Sequence, residues 1–427
     1  MELMKVFKSS RARLAAFFSV MGPGIVTAFA DNDAGGIATY AAAGAKYGYA
    51  LLFTMFVATG CLAIAQEISA RTGAVTGQGL SDLIREKFGV KWTLFAMVVL
   101  LIANIGTTIS EFSGIATSFE IFGVSKYIST PVMAFIVWWL VVKASYERME
   151  KFFLALCLTF FSYVLSGVLV TPPWGEVFTA SVTPSFSGNA EFVLMAVGVI
   201  GTTITPWGQF YVQSSIVDKG ITAQDYKYTL WDVLIGSFFT GFIAFFIIVA
   251  TAATLFANHI PIETAKDAAL ALEPLAGRFA SMLFAFGLLG ASVLAAFILP
   301  LSTAYAVCEA FGFEHGVSKS YEEAPVFFGL YTLLIVLGAT MVLWPNLSLY
   351  HIMLMSQVVN GVLLPPILIF MVLLASDKNL MGEYANSRLY NGVIWTFTIV
   401  LIALTLLLLF ATVAPDLTER ALALVGF

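Results

Sequence analysis

Uncharged runs of about twenty residues recur along this chain, long enough for helices to cross a hydrocarbon core of about 30 Å. That recurrence limits the fold more than anything else, because inside lipid every backbone N–H and C=O must be bonded within the protein. Open sheets and lipid-exposed loops are excluded. With 11% of residues charged and no strand-like alternation, an all-α integral membrane fold is expected. Eleven spans are read, over 14–45, 49–70, 92–122, 129–142, 152–170, 192–217, 229–256, 279–311, 326–344, 350–375 and 390–414. The chain reads as one transmembrane domain, 1–427, with no soluble part. Lys5, Lys8, Arg11 and Arg13 run straight into the first span without a cleavage site, so no removable signal is expected.

The connecting loops read as short, so basic residues report orientation. With the N-terminus on the cytoplasmic side, sixteen of the 21 Lys and Arg residues fall in cytoplasmic loops. The expectation is a multi-pass protein of the cytoplasmic membrane, N-terminus inside and C-terminus outside.

Two spans are interrupted. In the first, Gly22-Pro23-Gly24 is followed by Asp31-Asn32-Asp33-Ala34-Gly35-Gly36, with uncharged sequence on both sides. Each glycine costs a continuous helix about 1 kcal/mol relative to alanine. A mid-bilayer ionisable group costs at least about 2.5–3.5 kcal/mol on the insertion scale. In the sixth, Gly201-Thr202-Thr203-Ile204-Thr205-Pro206-Trp207-Gly208-Gln209 interrupts 192–217; Pro206 lacks a backbone donor and Gly208 relaxes the chain further. Breaks five spans apart divide the chain into repeats of about 14–170 and 192–375, with an extra span at 390–414. An odd repeat length inverts one half relative to the other, the pattern of a transporter with its site at the midplane.

Asp33 is the prime candidate ligand; the alternative role is a cap on the second half-helix, and both can hold together. Asp31 either attracts cations or pairs locally. Glu111, deep in span three, needs a partner or water, with a protonated form bonded to nearby hydroxyls as the alternative. Gln357 and Asn360 in span ten either offer amide oxygens or tie helices together. Glu67 and Asp232 are expected to pack or pair, Glu67 with Arg71. Cys61, Cys157 and Cys308 are too scattered for a metal knuckle and read as small hydrophobes. His259, His315 and His351 lie in loops or at a span edge. No zinc cluster or hydrolytic triad exists, so no enzyme is expected. The remaining donors are carboxylate, amide, hydroxyl and carbonyl oxygens, hard ligands suited to Mg²⁺, Ca²⁺ or Mn²⁺.

The sequence resembles the NRAMP divalent-metal transporters over nearly its whole length. The likeness is carried by Gly22-Pro23-Gly24 with Asp33, Ala38-Thr39, Ala43-Gly44-Ala45-Lys46-Tyr47-Gly48-Tyr49, Gln66-Glu67-Ile68-Ser69-Ala70-Arg71 with Thr76-Gly77, Ser356-Gln357-Val358-Val359 and Met381-Gly382-Glu383. It implies a LeuT-like, amino-acid-transporter-type fold with a 5+5 inverted repeat, spans one and six broken, and alternating access around a metal. It also implies ligands at Asp33, at the carbonyls of Ala30 and Thr202, and at Thr205, Gln209 and Gln357; Asp31, Gly36, Gly208 and Glu111 are candidates in support.

Departures from the family pattern matter. The metal-binding asparagine is replaced by Gly36, which is expected to open space. Thr205 stands where the family has a methionine, so the soft thioether is lost. Gln209 stands where an asparagine is usual, Gln213 where a histidine is, and Thr108 where an acid is. Thioether favours Mn²⁺, Fe²⁺ or Cd²⁺ over Mg²⁺, and Mg²⁺ keeps much of its water. The pattern resembles the NRAMP-related magnesium transporter branch. Expected function is therefore Mg²⁺ uptake, with Mn²⁺ also carried and weak or absent proton coupling. The transported ion is the substrate, no cofactor is expected, and the partners are the ion and the lipid bilayer, without nucleic acid or an obligate protein. The alternatives are a proton-coupled Mn²⁺/Fe²⁺ symporter, an amino-acid symporter on the same fold, and an ion channel.

Overall fold

Proline and glycine set the two breaks around which the helices are arranged. The computed structural model describes residues 23–143, 161–187, 189–270, 277 and 280–413. Cys157, the first part of span five (152–160), residues 1–22 and residues 414–427 lie outside the described residues.

The first span is two half-helices, α1 (Pro23–Ala30) and α2 (Ala34–Tyr47). They are followed by α3 (Leu52–Thr76), the connecting helix α4 (Leu80–Phe88), α5 (Val90–Ile121), α6 (Lys126–Lys143) and α7 (Phe161–Leu169). A short helix, α8 (Trp174–Val182), leads to the second broken span, α9 (Ala190–Thr203) and α10 (Pro206–Asp218). Next comes α11 (Tyr226–Thr251), closed by a π turn over Ala252–Phe256, then α12 (Ala265–Leu270) and α13 (Ala280–Phe311). The chain ends with α14 (Pro325–Val342), α15 (Leu349–Ser376), the single turn α16 (Lys378–Met381) and α17 (Arg388–Val413). Among the described residues all regular structure is helical, and nine helical segments are long and apolar enough to cross a membrane, the α9–α10 pair counting as one. The connecting helices α4, α8 and α12 occupy stretches read from sequence as plain loops. They are too short and too polar, or too isolated, to announce themselves as spans.

α11 packs along α1, α2 and α3, while α5 packs against α13, α14 and α15. Glycine makes the closest of these contacts possible. A Cβ at Gly24 would stand 2.8 Å from the backbone of Val233 on α11. That approach lets the Asp232 carboxylate accept the N–H groups of Gly24 at 2.7 Å and Ile25 at 3.3 Å, capping α1 from a distant helix. Asp232 is thus a packing residue, as expected. At Gly201 a Cβ would lie 2.6 Å from the Cα of Gly361, so α9 and α15 touch backbone to backbone. This crossing carries Gln357 to the first break.

Glu67 also pairs as expected. It accepts from Arg71 at 2.7 and 3.1 Å, from the Tyr390 hydroxyl at 2.6 Å, and from the Tyr226 hydroxyl. Arg71 in turn donates to Asn386 at 2.6 Å and to the Tyr384 carbonyl. One buried ion pair thereby ties α3 to α11 and to the segment entering α17. Cys61 and Cys308 are buried free thiols.

Candidate functional site

At the first break, Asp33 takes an extended backbone (φ −70°, ψ −177°) and caps α2, its Oδ1 accepting the Gly36 N–H at 2.5 Å. The next free donor of that helix end, the Ala34 N–H, goes to Glu111 Oε2 at 3.1 Å. The positive end of α2 is therefore filled by two of the protein's own carboxylates. An anionic substrate group, such as an amino-acid carboxylate, has no place there.

The same bonding leaves carbonyls without their helical partners. Ala30 C=O would ordinarily accept from residue 34, but the Ala34 N–H is taken by Glu111. Thr202 C=O would accept from residue 206, and Pro206 has no N–H. These are the last turns of α1 and α9, the negative ends of two half-helix dipoles. Carbonyl oxygens freed in this way at the end of a half-helix are groups that can coordinate a cation.

Gln357 Nε2 donates to both oxygens of Asp33, each at 3.1 Å, and its Oε1 accepts from Asn360 at 2.9 Å. Asn360 continues the chain to Thr107 on α5 at 3.1 Å. In this state Gln357 thus turns its N–H groups, not its oxygen, toward Asp33. Gly35 makes the arrangement possible, since a Cβ there would run into the Gln357 amide. At Gly36 a Cβ would stand 2.8 Å from Thr202 Oγ1 and 3.2 Å from Asp33 Oδ1. Here the structure corrects the sequence reading: the lost asparagine leaves no open space beside Gly36, because the Thr202 hydroxyl stands there. Thr202 Oγ1 and Glu111 Oε1 are both buried without a hydrogen-bond partner.

Asp31 faces another way. Its Oδ1 accepts from Thr205 Oγ1 at 2.6 Å and its Oδ2 from Gln66 Nε2 at 3.2 Å. Thr205 is the residue before Pro206 at the start of α10, and Gly208 lies one turn on, where a Cβ would be 3.4 Å from Asp31 Oδ1. Gln209 Oε1 accepts from Ser69 at 3.4 Å, and its Nε2 has no partner. The structure therefore groups Asp33, Gly36, Thr202, Gln357 and Glu111 in one cluster, and Asp31, Thr205 and Gly208 in a second. Gln209 is held against α3 and Ala30 lies at the end of α1 between the clusters. Gln213 donates to the Gln78 carbonyl at 2.9 Å, and the Thr108 hydroxyl turns back to Asn104 C=O at 2.7 Å. Trp207 is fully buried, with its ring 6.4 Å from that of Tyr211. Sequence reasoning missed the role of Gln66, since a lone glutamine within a span carries no sign that it will reach a residue 35 positions away.

Ala30, Asp31, Asp33, Thr202, Thr205, Gln209 and Gln357 are all 0% exposed. On the α2/α9 side, the Tyr40 and Thr203 hydroxyls meet at 2.9 Å and Tyr350 donates to Ala38 C=O at 3.1 Å. On the α1/α10 side the Asp31–Thr205 bond and the Asp232 cap close the way. The site is occluded from both faces. Among the described residues, no group of three or more His, Cys, Asp or Glu side chains is clustered closely enough to hold a metal. Any ion here depends on one or two carboxylates supplemented by carbonyl, hydroxyl and amide oxygens.

Two broken helices meeting at an occluded polar centre define a membrane transporter of the LeuT-like fold. The Eremococcus coleocola manganese transporter, solved in complex with an aromatic bis-isothiourea compound, superposes with a TM-score of 0.78 at 18% identity, covering 96% of this chain and 90% of that one. Mhp1, a nucleobase-cation-symport-1 family transporter in a closed conformation, shares the fold more loosely, with a TM-score of 0.55 at 13% identity over 94% and 93% of the two chains. The divalent metal cation transporter MntH of Erwinia tasmaniensis is 29% identical over 96% of this chain and 98% of its own length. MntH of Klebsiella pneumoniae is 28% identical over 93% and 95%. The family described as natural resistance-associated macrophage protein-like, Nramp, matches residues 24–411. The chain belongs to the Nramp family; it is a multi-pass membrane transporter and not an enzyme.

Proposed function

We propose that this chain carries Mg²⁺, and also Mn²⁺, into the cell across the cytoplasmic membrane by alternating access, without obligatory proton symport. The cargo class follows the relatives, divalent metal cation transporters by name. One observation carries the preference within that class: the side chains of Asp31, Asp33, Thr202, Thr205, Gln209 and Gln357 and the carbonyls of Ala30 and Thr202 offer oxygen or amide nitrogen, with neither sulfur nor imidazole among them. Asp33 anchors the ion, with the carbonyls of Ala30 and Thr202 beside it. Gln357 contributes its amide oxygen once the amide turns over, and Thr205 and Gln209 contact the ion or its water. Hard oxygen donors suit Mg²⁺, which retains part of its hydration shell.

Two five-span repeats, 14–170 and 192–375, supply one break each, and the N-terminus faces the cytoplasm. An inside-negative potential of 100 mV drives a divalent ion inward by about 4.6 kcal/mol, at about 2.3 kcal/mol per charge. That supports accumulation of more than about a thousandfold without a second ion.

A proton-coupled Mn²⁺/Fe²⁺ symporter is the second reading, and Glu111 favours it. Its carboxyl adjoins that of Asp33, and in this reading a proton held between the two is exchanged for the ion. Uptake of Mg²⁺ and Mn²⁺ into proteoliposomes, with and without a membrane potential and with a pH dye inside, separates the two. The expected result is potential-driven uptake without internal acidification, abolished in Asp33→Ala. Acidification in step with uptake refutes the uncoupled mechanism, strong block of Mn²⁺ uptake by low Cd²⁺ refutes the hard-ion preference, and full Mg²⁺ flux in Asp33→Ala refutes the site.

A further inference from the structure

α13 carries one charged residue along its 32 positions, Glu309. An ionisable group inside a span is costly and ordinarily has a partner. Glu309 is only 3% exposed, yet its Oε2 accepts no hydrogen bond. It faces Gly79, the residue before α4, where a Cβ would run into the carboxylate. Beside it stands the Ser214 hydroxyl of α10, 2% exposed and also without a partner. The charges that act on Glu309 are those of two further acids, Asp82 on α4 and Asp218 at the end of α10. Among the described residues no Lys, Arg or His pairs with Glu309. The cations nearby are engaged elsewhere: Arg85 donates to Ala310 C=O at 3.2 Å, Lys319 pairs with Glu314, and His315 lies toward Asp82 and Asp218. The N-terminal end of α4 relieves part of the repulsion, but the Gly79 N–H goes to Asp82 and no donor reaches Oε2. A buried carboxylate among like charges, with one oxygen open, lacks a positive charge. The three acids are not grouped closely enough to ligate one bare ion, so an ion held among them keeps water of its own.

The place of Glu309 relative to the breaks adds to this. Ser302, Tyr305 and Glu309 are spaced three and four residues apart, on one face of α13 turned toward α10. Ser302 donates to Trp207 C=O at 2.8 Å, at the second break, and Tyr305 donates to Asp218 at 3.0 Å. Gln213 joins α10 to the α3–α4 connection through Gln78 C=O at 2.9 Å. A seam between α10, α13 and α4 thus runs from the second break to Glu309. Parting α10 from its neighbours breaks these three bonds, uncovers Glu309 and frees the Gln78 carbonyl next to Gly79.

We propose that Glu309 is a second divalent-cation site, which holds the partly hydrated ion as it leaves the breaks along the α10/α13 seam. This rests on the reading of the chain as a divalent-cation carrier anchored at Asp33. Glu309 supplies the carboxylate, the Ser214 hydroxyl bonds the ion's water, and Asp82 and Asp218 add negative charge without direct ligation. The ion, in turn, offsets the repulsion among the three acids.

The test uses the full chain in detergent with Mn²⁺ alone as probe, binding being read from loss of the free-ion electron paramagnetic resonance signal. Wild type should bind one Mn²⁺ tightly and a second about tenfold or more weaker. Asp33→Asn should keep only the weak ion, Glu309→Gln only the tight one, and the double variant neither. In proteoliposomes Glu309→Gln should lower the maximal rate of Mn²⁺ uptake by about tenfold or more while KM stays within about threefold of wild type. Glu309→Asp, which keeps the charge, should restore most of that rate. Absence of a second Mn²⁺ in wild type overturns the proposal, and so does a weak ion that survives Glu309→Gln. Uptake within about twofold of wild type in Glu309→Gln overturns it as well. If Asp33→Asn still binds Mn²⁺ tightly, the reading of the anchor fails instead, and the two failures are distinct. Should Glu309→Gln not fold, Ser214→Ala should weaken the second ion by about threefold or more with the tight one unchanged. Equal weak-site affinity in that variant overturns the proposal.

Discussion

Gly35→Ala distinguishes the tertiary structure from local propensity because the two predict opposite signs. Gly35 is helical, within the first turn of α2, so alanine there should stabilise an isolated helix by about 1 kcal/mol. In the folded protein the new Cβ would stand 2.8 Å from the Gln357 amide carbon and 2.9 Å from its Cγ, with the amide nitrogen closer still. Overpacking of a tight site costs about 1–3 kcal/mol. Pushing Gln357 aside also removes its paired bonds to the Asp33 carboxylate, and hydrogen bonds to a charged group contribute about 1.5–3 kcal/mol. After the propensity gain, a net destabilisation of roughly 1.5–5 kcal/mol remains.

The assay is thermal or denaturant unfolding of the purified protein, with Mn²⁺ uptake alongside. Gly35→Ala should melt earlier and transport poorly. Gln357→Ala in the same chain should recover part of the loss, because it removes the atoms the methyl group meets. A double-mutant cycle over Gly35 and Gln357 should show coupling well above the few tenths of a kcal/mol seen between distant sites. If Gly35→Ala melts at or above wild type with normal uptake, Gln357 does not lie against Gly35, and the account of the first break is wrong.

Thr205→Met places a thioether at the start of α10 and should strengthen Cd²⁺ competition with Mn²⁺ uptake by about tenfold, or about 1.4 kcal/mol; unchanged inhibition curves would show that residue 205 does not contact the ion. Asp232→Ala uncaps α1 at Gly24 and Ile25 and should cost about 0.5–2 kcal/mol by analogy with other helix caps. Because α1 lines the α1/α10 half, labelling of a cysteine introduced there should speed up relative to one on the opposite side, and equal rates on both would refute that gating role.

Much of the fold is legible in the sequence itself. Apolar length alone gave the helical spans, and a helix must bond its backbone internally wherever lipid surrounds it. The two breaks were equally plain, because proline removes a donor and paired glycines loosen a helix in any context. Glu67 with Arg71 was readable as an i,i+4 pair on one helix face. The short helices α4, α8 and α12 were not, since their existence depends on docking more than on propensity.

At the candidate site the sequence determined the inventory: two aspartates at one break, a proline at the other, and a donor set without sulfur or imidazole. Tertiary structure decided the pairing. It sends Thr205 to Asp31 and Gln357 to Asp33, two partners 174 and 324 residues away along the chain. It also fills the place of the missing asparagine at Gly36 with the Thr202 hydroxyl, where composition alone suggested room. The physical reason is the same in each case. Backbone bonding is local and can be read from neighbouring residues, whereas side-chain partners depend on how closely helices approach, and glycines such as Gly35, Gly36 and Gly201 set that distance only in the assembled fold.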